Sequence, residues 1–361
     1  MSVGKLLCVG IRGAVPGEEI LARDLEACRR AEVGGVILFD VDVPAFHRHL
    51  RDGLAADAAK QRSARNILDA GQVRRLITHI REILGPDVFV GVDQEGGQVA
   101  RLSPARGFAA EPTAQEFAAL DNDARRMAAT RQAHQLVDLG FDLNFAPCVD
   151  VALNPQNAII TRLGRSFGAE PESVIDCANA VLDAHAAAGV AACLKHFPGH
   201  GSSRDDSHLG AVDITATWQR EPELEPYRAL TQRPGVAVMI AHVIHRKLGG
   251  EAPASLTPEV INELLRAEIG FQGVVVTDSI DIRAVADRYD PGEAAVAAIA
   301  AGADLVIDGF NLAERVEHPA PVLVAALQSA LHDGRIAQGA RRIEKSLERL
   351  HLLRTQIGSE K

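Results

Sequence analysis

Residues 88–97 read Val-Phe-Val-Gly-Val-Asp-Gln-Glu-Gly-Gly, an apolar run that ends in two carboxylates and a double glycine. Seven more short apolar runs of similar length are predicted to be strands, and they lie at Leu6–Val9, Gly35–Phe39, Leu143–Phe145, Ala191–Leu194, Val236–Ile240, Val274–Thr277 and Asp304–Ile307. Longer stretches with helical spacing lie between them, such as Glu18–Ala31, Ala114–Leu139, Pro171–Ala188, Pro258–Ile269 and Gly292–Ala301. Strict alternation of strands and helices is typical of a parallel sheet.

Eight such repeats without a flexible linker favour one closed (β/α)8 barrel of the TIM type over an open doubly wound sheet, with any irregularity expected in the early strands. The turn Gly10-Ile11-Arg12-Gly13 lacks the GxGxxG pattern that cradles a dinucleotide. We therefore predict a single catalytic domain over residues 1–361, with no second α/β domain. The amphipathic stretch Gly339–Leu353 is predicted to be a helix that closes the barrel, and Arg51–Ala70 a helix or an exposed excursion.

Composition excludes several classes of partner. The net charge is −10, which argues against nucleic acid or an anionic membrane surface. No stretch of about 18 apolar residues spans a bilayer, and the first residues contain no extended apolar signal region, so we expect a cytoplasmic protein. The five cysteines are odd in number and mostly lie among apolar residues, which predicts buried free thiols. We expect no cofactor.

In a parallel barrel the reactive residues lie at the carboxyl ends of the strands. Three strand ends carry ionisable groups: Asp93 with Glu95, the segment from Lys195 to His208, and Asp278 after three consecutive valines. A carboxylate fixed on a strand end can act as a nucleophile. Capping of the following helix is an equally weighted alternative for Asp278.

The segment from Lys195 to His208 contains three of the 13 histidines. Within it, Asp206 stands two residues before His208, so its carboxylate can orient the imidazole as a proton donor and acceptor suited to neutral pH. A second interpretation is a metal site, because nitrogen and oxygen donors for zinc are available from His196, His200, Asp205 and His208. Spacing leaves both interpretations open.

Several runs resemble, in the same order, glycoside hydrolases of family 3, and within it the single-barrel β-N-acetylglucosaminidases (β-hexosaminidases) of peptidoglycan recycling. These runs are 93–97 (DQEGG), 142–151 (DLNFAPCVDV), 165–168 (RSFG), 195–208 (KHFPGHGSSRDDSH), 241–243 (AHV), 253–255 (PAS) and 273–278 (GVVVTD). The resemblance covers nearly the whole chain between Gly34 and Ile307. It implies an exo-acting, retaining glycosidase whose partner is a small carbohydrate, such as an N-acetylglucosaminyl-anhydromuropeptide.

The resemblance also implies roles for individual residues. Asp278 is expected to be the nucleophile that forms a covalent glycosyl-enzyme, and His208 the general acid/base, paired with Asp206. Sugar hydroxyls are expected to be bound by Asp93, Arg165, Lys195 and His196. We expect Glu95 to shape its turn, and His242 either to line the pocket or to hydrogen-bond beneath it.

The chain departs from the family in places that bear on substrate preference. Ile282 stands where relatives usually have Met, and the segment from Asn157 to Arg165 is two residues longer than usual, so Arg162 competes with Arg165 for the sugar. The alternatives are a family 3 enzyme with another sugar preference, a phosphorolytic enzyme, a Schiff-base aldolase using Lys195, a metal-dependent hydrolase, and a binding protein without turnover.

Overall fold

The computed structural model describes residues 2–204 and 210–358. Eight parallel strands form one sheet in chain order, with the last strand beside the first. They are β1 Leu7–Gly10, β2 Gly35–Leu38, β3 Phe89–Val92, β4 Leu143–Asn144, β5 Ala191–Phe197, β6 Val236–Ile240, β7 Val275–Thr277 and β8 Val306–Asp308. The amide of Thr277 donates to the carbonyl of Leu305 at 3.0 Å, which joins β7 to β8 and closes the ring. The predicted TIM-type barrel is confirmed, although β1 to β3 are regular and the shortest strand is β4.

Helices surround the barrel, and several begin where the sequence supplies a cap. Asp42, Asp69 and Asp121 each accept a hydrogen bond from a backbone amide three residues further on, which satisfies a donor that the first helical turn leaves unpaired. The helices are α1 Glu19–Ala31, α2 Val43–Arg51, α3 Ala56–Arg62, α4 Ala70–Leu84, α5 Ala114–Ala118, α6 Asn122–Leu139, α7 Pro171–Ala188, α8 Arg220–Leu230, α9 Arg246–Gly249, α10 Arg283–Ala286, α11 Pro291–Ala301, α12 Ala320–His332 and α13 Gly339–Gly358, with a π-type helix at Glu259–Glu268. The single helix expected over Ala114–Leu139 is wrong, because the Asp121 cap starts a new helix.

The excursion after β2 contains α2 and α3 and ends at two residues that tie it to the barrel. The Arg65 guanidinium donates to the carbonyls of Ile11 (3.0 Å) and Phe310 (2.6 Å) and to Asn311 Oδ1 (2.8 Å). Asn66 donates to the carbonyls of the first βα turn at 2.8 and 3.1 Å. The loops after β1, β2 and β8 are therefore held together on one side of the barrel mouth.

Helix α13 covers the opposite end of the barrel. The buried carboxylate of Asp304, just before β8, accepts hydrogen bonds from Arg342 and Arg349 of this helix and from Arg266. Burial opposes ionisation of Asp304, but the three guanidinium charges hold the pKa of this carboxyl below its ordinary value. The helix thus seals the amino ends of the strands and leaves the carboxyl ends open.

Candidate active site

Lys195 lies at the carboxyl end of β5, between two carboxylates from the turn after β3. Its Nζ is 2.7 Å from Asp93 Oδ1 and 2.7 Å from Glu95 Oε1, and its side chain is 2% exposed. Burial acts to lower the pKa of Lys195, but the charges of Asp93 and Glu95 outweigh burial and raise it. Lys195 is therefore held as an ammonium donor.

Arg165 is held by Glu95 from the other side. Two parallel hydrogen bonds, of 2.8 and 2.7 Å, join its guanidinium to the Glu95 carboxylate. Burial would raise the pKa of Glu95, yet the charges of Arg165 and Lys195 push it well below the ordinary value. Arg165 Nη2 also lies 3.3 Å from His196 Nε2. Because a guanidinium can only donate, His196 Nε2 is the acceptor in this contact.

The other ring nitrogen of His196 faces Asp150. His196 Nδ1 donates to Asp150 Oδ2 at 2.6 Å, and the backbone amide of His200 donates to Asp150 Oδ1 at 2.8 Å. Burial would raise the pKa of Asp150, but the interactions with His196 and His200 lower it to about 2. The tautomer and orientation of His196 are thus set by Asp150 on one side and by Arg165 on the other.

The turn after β5 requires glycine. A Cβ on Gly201 would lie 1.7 Å from the carbonyl oxygen of Val151, and Gly199 has a φ of +123° with a Cβ position 2.3 Å from Glu223 Oε2. These close approaches seat the turn against the loop that carries Asp150, at Gly201, and against helix α8, at Gly199. Steric contacts therefore explain why the KHFPGHG run has glycine at positions 199 and 201.

Asp278 emerges from the end of β7. Its backbone amide donates to the carbonyl of Ile240 at 2.9 Å, and its Oδ1 accepts from the amide of Ser279 at 2.7 Å. Ser279 Oγ donates to Asp281 Oδ1 at 2.6 Å, and Asp281 Oδ2 accepts from the amide of Asn311 at 3.0 Å. Helix α10 begins five residues after Asp278, with Ile282 at its N-cap, so Asp278 does not cap this helix. Its strand end is fixed by a network that reaches the loop after β8.

These groups line one cavity of about 210 Å³ at the carboxyl ends of the strands. Its floor is apolar, formed by Ile37, Met239 and Ile307 from three barrel strands. The charged and polar lining residues are Asp40, Asp93, Arg101, Arg165, Lys195, His196, His200, Asp278, Ser279, Asp281 and Asn311. Such a lining of fixed donors and acceptors over an apolar floor suits a small polyhydroxylated ring.

The structure brings five of the predicted site residues together in this cavity: Asp93, Arg165, Lys195, His196 and Asp278. Arg162 is exposed and does not line it. His242 is buried outside the lining, where Nδ1 pairs with Ser255 Oγ at 2.7 Å and Nε2 with the carbonyl of Ser279 at 2.9 Å. His242 therefore holds Ser279, the residue next to Asp278, in place through the Ser279 carbonyl oxygen. Asp206 and His208, with Asp205 of the metal alternative, lie outside the described residues.

Sequence reasoning missed other residues of the site. Asp150 stood in a family-like run but received no role, although it is the one charged residue in the otherwise apolar stretch from Phe145 to Leu153, which was a usable signal. Asp40 lies two residues after the end of β2, so the strand-end rule could have found it. Arg101 and Asp281 carried no local signal, because only the folded loops bring them to the cavity.

Two of the departures from the family pattern border this cavity. Ile282 and Ile159, the latter from the longer segment before Arg165, both line its wall. Val41 and Val43, which precede the predicted excursion at Arg51–Ala70, line it as well, but no described residue of the excursion itself does. Ile282 and Ile159 thus face the cavity, whereas Arg162 of the same longer segment does not.

A TIM-type barrel with carboxylates at the carboxyl ends of its strands fits the class of glycoside hydrolases. The sequence profile described as glycosyl hydrolase family 3 N terminal domain matches residues 12–353. The chain therefore belongs to glycoside hydrolase family 3, as its motifs predicted.

Individual relatives agree with this assignment. A β-hexosaminidase of Tolumonas auensis is 33% identical over 308 residues, covering 84% of this chain and 83% of that protein. β-Hexosaminidase A of Pseudoalteromonas piscicida is 30% identical over 351 residues, covering 92% of this chain and 55% of that protein. The solved family 3 β-N-acetylglucosaminidase of Paenibacillus sp. FPU-7 superposes with a TM-score of 0.82 at 32% identity, covering 99% of this chain and 62% of that one. The chain thus spans little more than half the length of some relatives.

No helix among residues 2–204 and 210–358 combines the length and apolar character needed to cross a membrane.

Proposed function

We propose that the protein is a retaining, exo-acting β-N-acetylglucosaminidase. The observation that carries the proposal is that the Asp278 carboxylate shares one small cavity with Asp93, Lys195 and His196. The sugar preference is supported by the similarity to proteins named β-hexosaminidase. We infer cell-wall fragments, such as N-acetylglucosaminyl-anhydromuropeptides, as the substrate. A cytoplasmic location fits five cysteines that are buried as free thiols.

In the proposed reaction the Asp278 carboxylate attacks the anomeric carbon and forms a covalent glycosyl-enzyme. His208, oriented by Asp206, protonates the departing oxygen and then takes a proton from the water that hydrolyses the intermediate. Two inversions at one carbon give net retention. The hydroxyls of the terminal sugar are held by Asp93, Lys195, His196 and Arg165, which are fixed before substrate binds because each is paired with a neighbour.

The environment of Lys195 argues against the aldolase alternative. A Schiff base requires a neutral amine, whereas Lys195 Nζ is 2.7 Å from each of two carboxylates that keep it protonated. For the metal-dependent hydrolase, only His196 and His200 of the four suggested ligands lie in the described part of the chain, where the His196 ring pairs with Asp150 and the His200 ring with Ser203.

The nucleophile is tested by trapping. A 5-fluoro N-acetylglucosaminyl fluoride should label the full chain once, and peptide mass spectrometry should place the label on Asp278. Asp278→Ala should lose hydrolysis of an aryl β-N-acetylglucosaminide and form an α-glycosyl azide when azide is added. The matched control is Asp281→Asn, a carboxylate of the same cavity, which should still be labelled. Labelling of another residue, or full activity of Asp278→Ala, would overturn the assignment.

The acid/base and the sugar preference need separate measurements. His208→Ala should lose about 10²–10⁴-fold with a poor leaving group and much less with an activated one. Aryl glycosides that differ only at the 2-position, each assayed with and without phosphate, distinguish an N-acetylglucosaminidase from another sugar preference or from phosphorolysis. Equal rates for glucoside and N-acetylglucosaminide would contradict the proposed specificity.

A further inference from the structure

A buried thiol lies against the residues that orient His196. Cys148, in the loop after β4, donates from Sγ to Asp150 Oδ2 at 3.3 Å, and the same oxygen accepts from His196 Nδ1 at 2.6 Å. One ligand atom from each residue lies within 4.8 Å of the other two. Their exposed fractions are 2%, 1% and 7%, so the three groups meet inside the protein and not on a solvated surface.

We propose that Cys148, Asp150 and His196 form an inhibitory site for a thiophilic divalent cation, with Zn²⁺ as the probe. Thiolate, carboxylate and imidazole are the donors that zinc prefers, at about 2.3, 2.0–2.2 and 2.0–2.1 Å. Tetrahedral binding at those lengths separates the nitrogen and oxygen ligands by about 3.3 Å, so His196 and Asp150 move apart by about 0.7 Å, whereas the sulfur and oxygen separate by only about 0.3 Å.

The charges and protons balance. The ion replaces the Cys148 thiol proton, which is released to solvent, and the thiolate with the Asp150 carboxylate neutralises its two charges. The His196 ring proton moves from Nδ1 to Nε2 as Nδ1 becomes the ligand. A candidate fourth ligand is His200 Nε2, which is buried and has no hydrogen-bond partner among the described residues. The two imidazole rings are 6.0 Å apart between centroids.

Occupancy of this site disables the sugar cavity. His196 Nε2 lies 3.3 Å from Arg165 Nη2 and accepts its hydrogen bond in the metal-free protein. Once Nε2 carries the ring proton, two donors face each other, and the ring must leave Arg165. Because both side chains line the cavity, the cation and the sugar oppose each other's binding, and by linkage each weakens the other by the same factor.

The cation proposed here inhibits, whereas the metal alternative raised by the sequence catalyses, and Cys148 was no part of that set. Substitution of Cys148 is also a specific test, because loss of its thiol affects this site and no histidine cluster elsewhere in the chain. Its removal leaves the proposed nucleophile and sugar ligands in place.

Metal content and a spectroscopic signature test the site without reference to turnover. The dialysed full chain should retain about one Zn²⁺ by elemental analysis, and Co²⁺ in its place should show a thiolate-to-cobalt charge-transfer band. Cys148→Val should lose that band and bind Zn²⁺ at least about 10–100-fold more weakly. The matched control is Cys177→Ala, which removes a thiol buried on α7 and should bind like the unaltered chain.

Inhibition is then measured on each variant relative to its own metal-free rate. Zn²⁺ should inhibit the unaltered chain reversibly, with relief by a chelator and by excess sugar, and should inhibit Cys148→Val far less. Equal binding by Cys148→Val, no binding by the unaltered chain, or inhibition without the thiolate band would each overturn the proposal. If Cys148→Val fails to fold, Cys148→Ser serves as the second variant and must lose the band while it keeps the melting temperature.

Discussion

Neutralising Glu95 tests whether the paired charges beneath the cavity stabilise the fold. Glu95→Gln keeps the side-chain shape but leaves the nearly buried Arg165 without the carboxylate that it contacts at 2.7 Å, and leaves Lys195 with Asp93 alone. Removing one partner of a buried ion pair costs about 3–5 kcal/mol, because the remaining charge is uncompensated. The unfolding entropy of 361 residues, at about 2.1 cal/mol/K per residue, is about 0.76 kcal/mol/K. The expected fall in Tm is therefore about 4–7 °C.

The matched control is Glu26→Gln on the surface of α1. Glu26 also contacts two guanidiniums at 2.7 Å, those of Arg29 and Arg30, but all three side chains are exposed. Because exposed ion pairs contribute little, its Tm should stay within experimental error of the unaltered chain. Calorimetry of the three proteins at pH 7 gives the comparison.

The pH dependence provides the second half of this test. The folded pKa of Glu95 is depressed, so its contribution is present above the unfolded value of about 4.3 and is lost as the pH falls toward the folded value. The Tm difference between Glu95→Gln and the unaltered chain should thus be constant from pH 7 to about 5 and narrow below that. A Glu95→Gln protein that melts within 1 °C of the unaltered chain at pH 7 would refute the reasoning, since ~1 °C corresponds to under ~1 kcal/mol.

Three further predictions follow from single contacts. Lys195→Met should lower kcat/KM by about 10–150-fold through the loss of a charged hydrogen bond of about 1.5–3 kcal/mol, and steady-state kinetics showing an unchanged value would contradict a role in sugar binding. Gly201→Ala should unfold or strongly destabilise the chain, because its Cβ would lie 1.7 Å from a backbone oxygen, whereas Gly71→Ala in α4 should melt no lower than the unaltered protein. Glu223→Gln should raise the Tm at pH 8 but not at pH 4, because burial raises the pKa of Glu223 to about 8, and the stability of the unaltered chain declines as the pH rises from about 4.3 to that value.

The barrel could be predicted because its signal is local and repeated. Each strand is a short apolar run, and the predicted and observed bounds of β2, β3 and β6 differ by at most one residue. Helix α6 shows where local spacing fails: the helical pattern runs on from α5, but the cap at Asp121 starts a second helix. The spacing of apolar residues shows which face of a helix is buried. It does not show where a helix begins, because a cap depends on a single hydrogen bond.

The site was predictable only where strand ends concentrate polar residues. Asp93 and Asp278 each follow a strand directly and Lys195 lies in the last residues of β5, so a rule about barrel mouths selects all three. The pairing of Arg165 with Glu95 was not predictable, because the two residues are 70 positions apart and meet through two loops. The sequence likewise left Arg162 and Arg165 as competing candidates for the sugar. The path of the loop decides between them, because it places Arg165 in the cavity and Arg162 in solvent.

The balance of charge around the cavity gives a physical reason for the proposal that an imidazole, and not a second carboxyl, is the acid/base. Around the proposed sugar position, four carboxylates, those of Asp40, Asp93, Glu95 and Asp150, face three cations, Arg101, Lys195 and Arg165. The group is therefore net negative before Asp278 is counted, which favours a positively charged transition state at the anomeric carbon. A second carboxyl as proton donor would add a further negative charge each time it gave up its proton. An imidazole becomes neutral at that step, so the leaving group departs without new repulsion against the nucleophile.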